Sequence, residues 1–242
     1  MLLDETTFHH ARNLDPAAIE SLLGSISPRV HRMAHGLTGR PDVGDGIVHF
    51  VIKQAIHHLP TWRDPDTAER WFYHHTVLIS RRASQHQPTM KNETLLAPTD
   101  TDPQYLAFIR AFRTLPQQQR ESFILHHAER LLTRTVAIAM DCSTHAAELH
   151  LKGAHSILEP LAGPSFPALK DRMIQAYQRL TPSEHLLRPS LRRQIKRSLL
   201  PRRIKRLIKL VILLTLLAAL LYVAYHEGWL PTLPFMRPAA NE

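Results

Sequence analysis

A single cysteine, Cys142, leaves this chain without an internal disulfide, which fits a reducing compartment. Glycine is scarce, at 8 residues against 18 prolines. No glycine-rich phosphate loop and no nucleophile elbow occurs. No stretch alternates convincingly at period two, so strands are not expected. The amino-terminal MLLDETTFHH lacks the basic start and apolar run of a secretory signal. H-E-x-x-H and Cys–His zinc spacings are missing as well. These absences leave an enzyme without candidate catalytic residues, and no cofactor is expected. The 17 histidines include the pairs His9-His10, His57-His58, His74-His75 and His126-His127. Neighbours on a helix point about 100° apart and chelate poorly, so no metal site is expected.

Acid is absent from one segment in particular. Between Arg188 and Lys209 there are ten Lys or Arg and no Asp or Glu, so the remaining chain has 20 basic against 21 acidic residues. The net charge of +9 therefore belongs to one short segment, and its partner need not be nucleic acid. Directly after it comes LIKLVILLTLLAALLYVAY, 19 residues from Leu207 to Tyr225. That length is close to the roughly 20 apolar residues a bilayer core requires. Lys209 can snorkel at one end, and Tyr222, Tyr225 and Trp229 suit the interface at the other. A single membrane-spanning helix is the expectation, with a buried core helix as the competing reading. Arg202, Arg203, Lys205, Arg206 and Lys209 would face anionic headgroups and keep the amino-terminal body cytoplasmic. A DNA-binding arm is the other reading of these charges.

The body reads as helical. Asp15-Pro16 starts a helix, which Pro28 and nearby glycines are expected to break. RPDVGD reads as a turn, GIVHFVIKQAIHHL as a second helix, and AERWFYHHTVLISRRASQ as a third, capped by Asp66 or Thr67. His86–Pro103 is polar and reads as a flexible linker. From Leu115 the pieces fall in a fixed order. Pro116 opens a helix with Phe123, Ile124 and Leu125 on its apolar face, and Thr133 caps a short helix. A tight turn at Asp141-Cys142 then precedes Ser143, the N-cap of a last helix. This is the order of a helix-turn-helix.

On these residues the chain resembles the sigma-70 family of RNA polymerase sigma factors, in its extracytoplasmic-function (ECF) group. The Leu-Pro opening, Arg120-Glu121, Glu129-x-Leu131, VAIAM and Ser143 match region 4 without gaps. GRPDVGDGIVHFVIKQAI and TWRDPDTAERWFYHHTVLISRRA stand where region 2 has its Asp-rich helix and its Trp-hydrophobic-Tyr helix. The resemblance implies an all-α fold of two small helical domains plus the C-terminal transmembrane helix. Its parts are a region 2-like domain at 15–86, a linker at 87–103 and a region 4-like domain at 104–160. A Pro-containing linker at 161–190, in which ALKDRMIQAYQRL reads as one short helix, a basic juxtamembrane segment at 191–206, the span at 207–225 and an outer tail at 226–242 complete it.

It also implies roles. Ser143, Thr144, Ala147, Glu148, His150, Leu151 and Lys152 would face promoter DNA. Arg63, Trp71, Tyr73, Arg81 and Arg82 would help open the strands, with a core role competing for Trp71. Asp45, Ile47, His49 and Phe50 would meet core RNA polymerase. Anchoring to membrane lipid would restrict access to the chromosome until proteolysis or a regulatory protein partner releases the body. The departures favour a second reading, a sigma-derived membrane-bound interaction module without promoter activity. Region 4 holds four basic residues (Arg120, Arg130, Arg134, Lys152) against four acidic ones (Glu121, Glu129, Asp141, Glu148), although phosphate neutralisation drives non-specific DNA affinity. Histidines in place of Arg or Lys would give a DNA contact that strengthens below about pH 6.5.

Overall fold

The computed structural model describes residues 4–86, 96–97, 101–182 and 184–226, with the side chains at 85–86, 184–187, 201–203, 205–207 and 225–226 outside that description. Every regular element among the described residues is a helix. Two compact units are formed, Met1–Lys196 and Arg197–Glu242.

In the first unit, α1 (Glu5–Arg12) and α2 (Pro16–Thr38) are each opened by an aspartate, Asp4 and Asp15, whose carboxylate accepts from the first-turn amides. Such a cap satisfies donors that have no intrahelical partner. The expected break at Pro28 does not occur, and α2 runs through it. Buried Leu22, Leu23, Ile26, Val30 and Met33 lie on both sides of it. Their packing outweighs the roughly 3 kcal/mol that an interior proline costs. Helix α2 stops at Gly39, in the left-handed conformation at φ 69°, which only glycine adopts without penalty.

The expected turn at RPDVGD is instead the first turns of α3 (Pro41–His58), with Arg40 as N-cap and Pro41 at the first position. Proline's fixed φ suits that position and its missing N–H costs nothing there. Helix α4 (Pro65–His86) follows. Its cap is Asp64, which accepts from the Thr67 amide at 2.6 Å, rather than Asp66 or Thr67.

Helix α5 (Pro103–Thr114) begins behind the Asp102 cap. Most of the linker before it lies outside the described residues. Its described part is not free: Leu96 is buried, and its carbonyl accepts from the Tyr105 hydroxyl at 2.8 Å. Then come α6 (Gln117–Phe123) with a π-helical turn at Ile124–Ala128, α7 (Thr133–Met140), α8 (Thr144–Ala162) and α9 (Phe166–Gln178). The short helix expected at ALKDRMIQAYQRL is α9, which starts two residues earlier and buries Phe166, Leu169, Met173 and Tyr177. Their spacing of three and four puts them on one helical face.

The two helical halves share one core. Met33, Leu37, Tyr73 and Val77 from α2 and α4 join Phe108, Phe112, Phe123, Leu125, Ala137, Leu158 and Tyr177 in a continuous buried cluster. Helix α4 packs on α7. Gly36 permits the close approach of α9, since a Cβ there would overlap the Tyr177 ring.

Helix α10 (Glu184–His226) begins within this unit. Leu191 and Ile195 are buried, Arg192 pairs with Glu20 at 2.7 Å, and Gln194 donates to the His49 carbonyl. The start of the expected juxtamembrane segment is therefore part of the packed body. In the second unit the large apolar side chains from Leu210 to Val223 are about half exposed or more. Among the described residues no helix is long and apolar enough to cross a membrane. Leu207 and Tyr225, which complete the run in the sequence, lie outside the described side chains, as do Arg202, Arg203, Lys205 and Arg206. Lys209 is exposed.

Candidate nucleic-acid interface

The helix-turn-helix is built by a short sequence device. Leu132, not Thr133, is the N-cap of α7. Asp141 ends that helix in the left-handed conformation at φ 55°, which a short polar side chain tolerates better than most. The chain reverses over Cys142, and the Ser143 hydroxyl accepts from the Ala146 amide at 3.1 Å. Helix α8 then packs on α5, α6 and α7.

Thr144, Glu148 and Lys152 are exposed on α8, and His150 is half-buried. His145 and Leu149 share the exposed surface and were not anticipated as contacts. Ala147 is a correction: it is buried at 1 % exposure because it faces the core together with Ala154 and Leu158 at helical spacing. Leu151 is half-buried. The outer face thus offers one lysine against one glutamate. Further along, Leu149, Ile157 and Leu161 are each about half exposed, so the face is as apolar as it is charged. Gly153 sits where α6 passes closely, since a Cβ there would meet the Gln119 amide.

His155 turns inward rather than outward. Its Nε2 shares a hydrogen bond of 2.8 Å with His127 Nε2, and its Nδ1 lies 2.6 Å from Glu159. Burial pushes His127 down to about 3, helped by the neighbouring His126, His155 and Lys170. The reading that these histidines replace DNA-contacting Arg or Lys does not fit His127 and His155, which are spent on each other.

The strand-opening candidates are not gathered on one open face. Tyr73 is buried at 2 % exposure, donates to Glu69 and accepts from Arg29. Burial and the Glu69 contact raise its pKa. Arg81 forms a bidentate pair with the buried carboxylate of Glu121, with contacts of 2.6–3.0 Å, and also donates to the Met140 carbonyl. Tyr73 is consumed within the first half, and Arg81 by its pair across to the second. Trp71 is half-buried and stacks on His75 at 3.9 Å between centroids, with Trp62 at 5.2 Å. Arg63 and Arg82 are exposed.

Among the polymerase-facing candidates, Asp45, His49 and Phe50 are exposed. Ile47 is a correction, buried at 3 % exposure, because it belongs to the α3 stripe with Val48, Val51 and Ile52.

Two features were missed from sequence. Glu129 is buried and takes Arg29 at 2.9 Å, Arg32 at 3.1 Å and the Tyr177 hydroxyl at 2.8 Å. No local pattern joins residues that far apart. Separately, His31, His35 and Asp45 come together as the one group of potential metal ligands found among the described residues. The signal in the sequence is two histidines four apart on a helix, a spacing that puts both rings on one face, as adjacent pairs do not.

The chain matches no known family model and no curated protein sequence.

Proposed function

We propose that this chain is a sigma-type transcription initiation factor of the ECF group. It is tethered to the cytoplasmic face of the membrane by the run 207–225 and held closed by contacts between its two helical halves. The observation that carries this reading is the α7–turn–α8 unit, with its left-handed Asp141 and its Ser143 cap, in which Thr144, Glu148 and Lys152 are open to a major groove. Asp45, His49 and Phe50 supply the surface for core polymerase. The half-exposed apolar side chains of α10 support the anchor, since exposed apolar patches of this size mark membrane or partner contacts.

In this reading the Arg81–Glu121 pair is a latch. Arg81 is a strand-opening position that cannot reach DNA while Glu121 holds it. A second reading, a membrane-bound interaction module without promoter activity, is favoured by the same pair and by the lack of net positive charge on the α8 face.

The two readings separate in one experiment with the full chain in detergent micelles. Core polymerase binding is measured by co-elution, and promoter-dependent transcription by run-off assay. Glu121→Gln breaks the latch and leaves Arg81 available. It should cost about 3 kcal/mol of stability, because it removes one member of a desolvated pair. It should also raise polymerase binding and run-off product at least about tenfold, the equivalent of 1.4 kcal/mol. If neither wild type nor Glu121→Gln engages polymerase, the interaction module is the correct reading.

A further inference from the structure

We propose that His31, His35 and Asp45 form a binding site for one divalent transition-metal ion of the zinc class. His31 and His35 stand four apart on α2, so both rings lie on one face of that helix, 4.7 Å between centroids. Asp45 reaches them from the beginning of α3. Its Oδ1 lies 3.0 Å from His35 Nε2 and 3.8 Å from His31 Nε2. One ligand atom from each of the three lies within 4.8 Å of the others. A tetrahedral ion with bonds of about 2.0–2.2 Å holds its ligands roughly 3.3 Å apart, so the two carboxylate–imidazole separations already bracket the required spacing.

A hydrogen bond between His35 and Asp45 explains two of the three residues and leaves His31 over. His31 Nε2 is too far from Asp45 for a hydrogen bond, and its Nδ1 is buried with no partner among the described residues. A cation at the centre of the cluster would take the lone pair of His31 Nε2, the nitrogen that faces Asp45. The backbone is also arranged around the rings. A Cβ on Gly44 would overlap the His35 imidazole, so glycine lets α3 run directly against that ring and sets Asp45 beside it. The Asp45 side chain is 65 % exposed, which leaves a solvent path and room for a water as fourth ligand. Two imidazoles and one carboxylate suit zinc, cobalt, nickel or copper better than magnesium or calcium. The ion would pin the start of α3 to α2, and the site stands whether or not the chain engages polymerase.

The test uses the full chain in detergent, stripped with a chelator. It is titrated with Zn(II) by calorimetry and with Co(II) by visible absorption. Wild type should bind one equivalent and give the intense bands of tetrahedral Co(II). Asp45→Asn and His31→Gln should each weaken binding at least about tenfold, while the control His145→Gln, exposed on α8, leaves it unchanged. Asp45 is largely exposed, so its amide variant keeps the fold, and circular dichroism checks both variants. Absence of a stoichiometric site, or undiminished affinity in either ligand variant, overturns the proposal.

Discussion

Glu129→Ala should cost about 4 kcal/mol of stability, a large share of the roughly 5–15 kcal/mol that holds a domain of this kind together. The Glu129 side chain is 1 % exposed and joins three elements. Arg29 and Arg32 reach it from α2, and the Tyr177 hydroxyl from α9. The alanine variant removes the negative charge that two half-buried guanidinium groups share. It also strands the hydroxyl of Tyr177, itself 1 % exposed. Part of the loss is offset, since Arg29 keeps Glu69 at 3.4 Å and Arg32 keeps the Thr181 hydroxyl at 3.0 Å. Glu129→Gln preserves hydrogen-bonding capacity and should cost about half as much. Denaturant unfolding of the full chain in detergent measures both, and a cost under about 1 kcal/mol for the alanine variant would show that the cluster contributes little.

Acidification should destabilise the protein by about 4 kcal/mol between pH 8 and pH 5, through His75 and His127. Burial pushes His75 down to about 4, with His74, His58 and Arg82 adding to it and the hydrogen bond to the Trp71 carbonyl opposing it. His127 is pushed down to about 3 by burial and by His126, His155 and Lys170. Both groups protonate near 6.5 in the unfolded chain and resist protonation when folded, so the unfolded state binds more protons below that value. Stability is therefore complete above about pH 6.5 and falls as pH drops toward 4 for His75 and 3 for His127, at about 1.4 kcal/mol per pH unit for each. Unfolding free energies measured with chelator present, at pH 8, 6.5 and 5, trace the curve. His75→Gln and His127→Gln should each flatten it by about half. A curve that is flat in wild type, or unchanged in both variants, contradicts this account.

Local chemistry was legible where a residue acts on its own neighbours. Asp15-Pro16 opens α2 and Ser143 caps α8 because a carboxylate or hydroxyl reaches amides two or three residues on, and proline fixes φ at a first turn. The order of helices around the turn at Asp141 follows from apolar spacing alone. Where packing competes with a local signal, the local signal lost. Pro28 does not break α2, and PDVGD does not turn, because burial of the flanking stripes outweighs them. The helix read at ALKDRMIQAYQRL does form, as α9, and it starts earlier, at Phe166, because Phe166, Leu169, Met173 and Tyr177 have a core to enter.

The candidate site divides along the same line. Position in the sequence marks Thr144, Glu148 and Lys152 as outward on α8, and they are exposed. It cannot reveal that Ala147 and Ile47 point into cores, because a residue's face depends on which side of its helix meets a neighbour. Tyr73 and Arg81 carry side chains suited to DNA, but Glu69 takes the Tyr73 hydroxyl and Glu121 pairs with Arg81.

By itself the sequence determined an all-helical chain, the capped helix-turn-helix, and the gathering of positive charge beside an apolar run. These depend on interactions over a few residues, or on composition alone. The tertiary structure decided that the two halves share one core, that Glu121 and Glu129 are buried ion-pair centres, and that His31, His35 and Asp45 meet. Those outcomes join residues ten to about a hundred positions apart, and no local propensity specifies which distant helix will bury a given face.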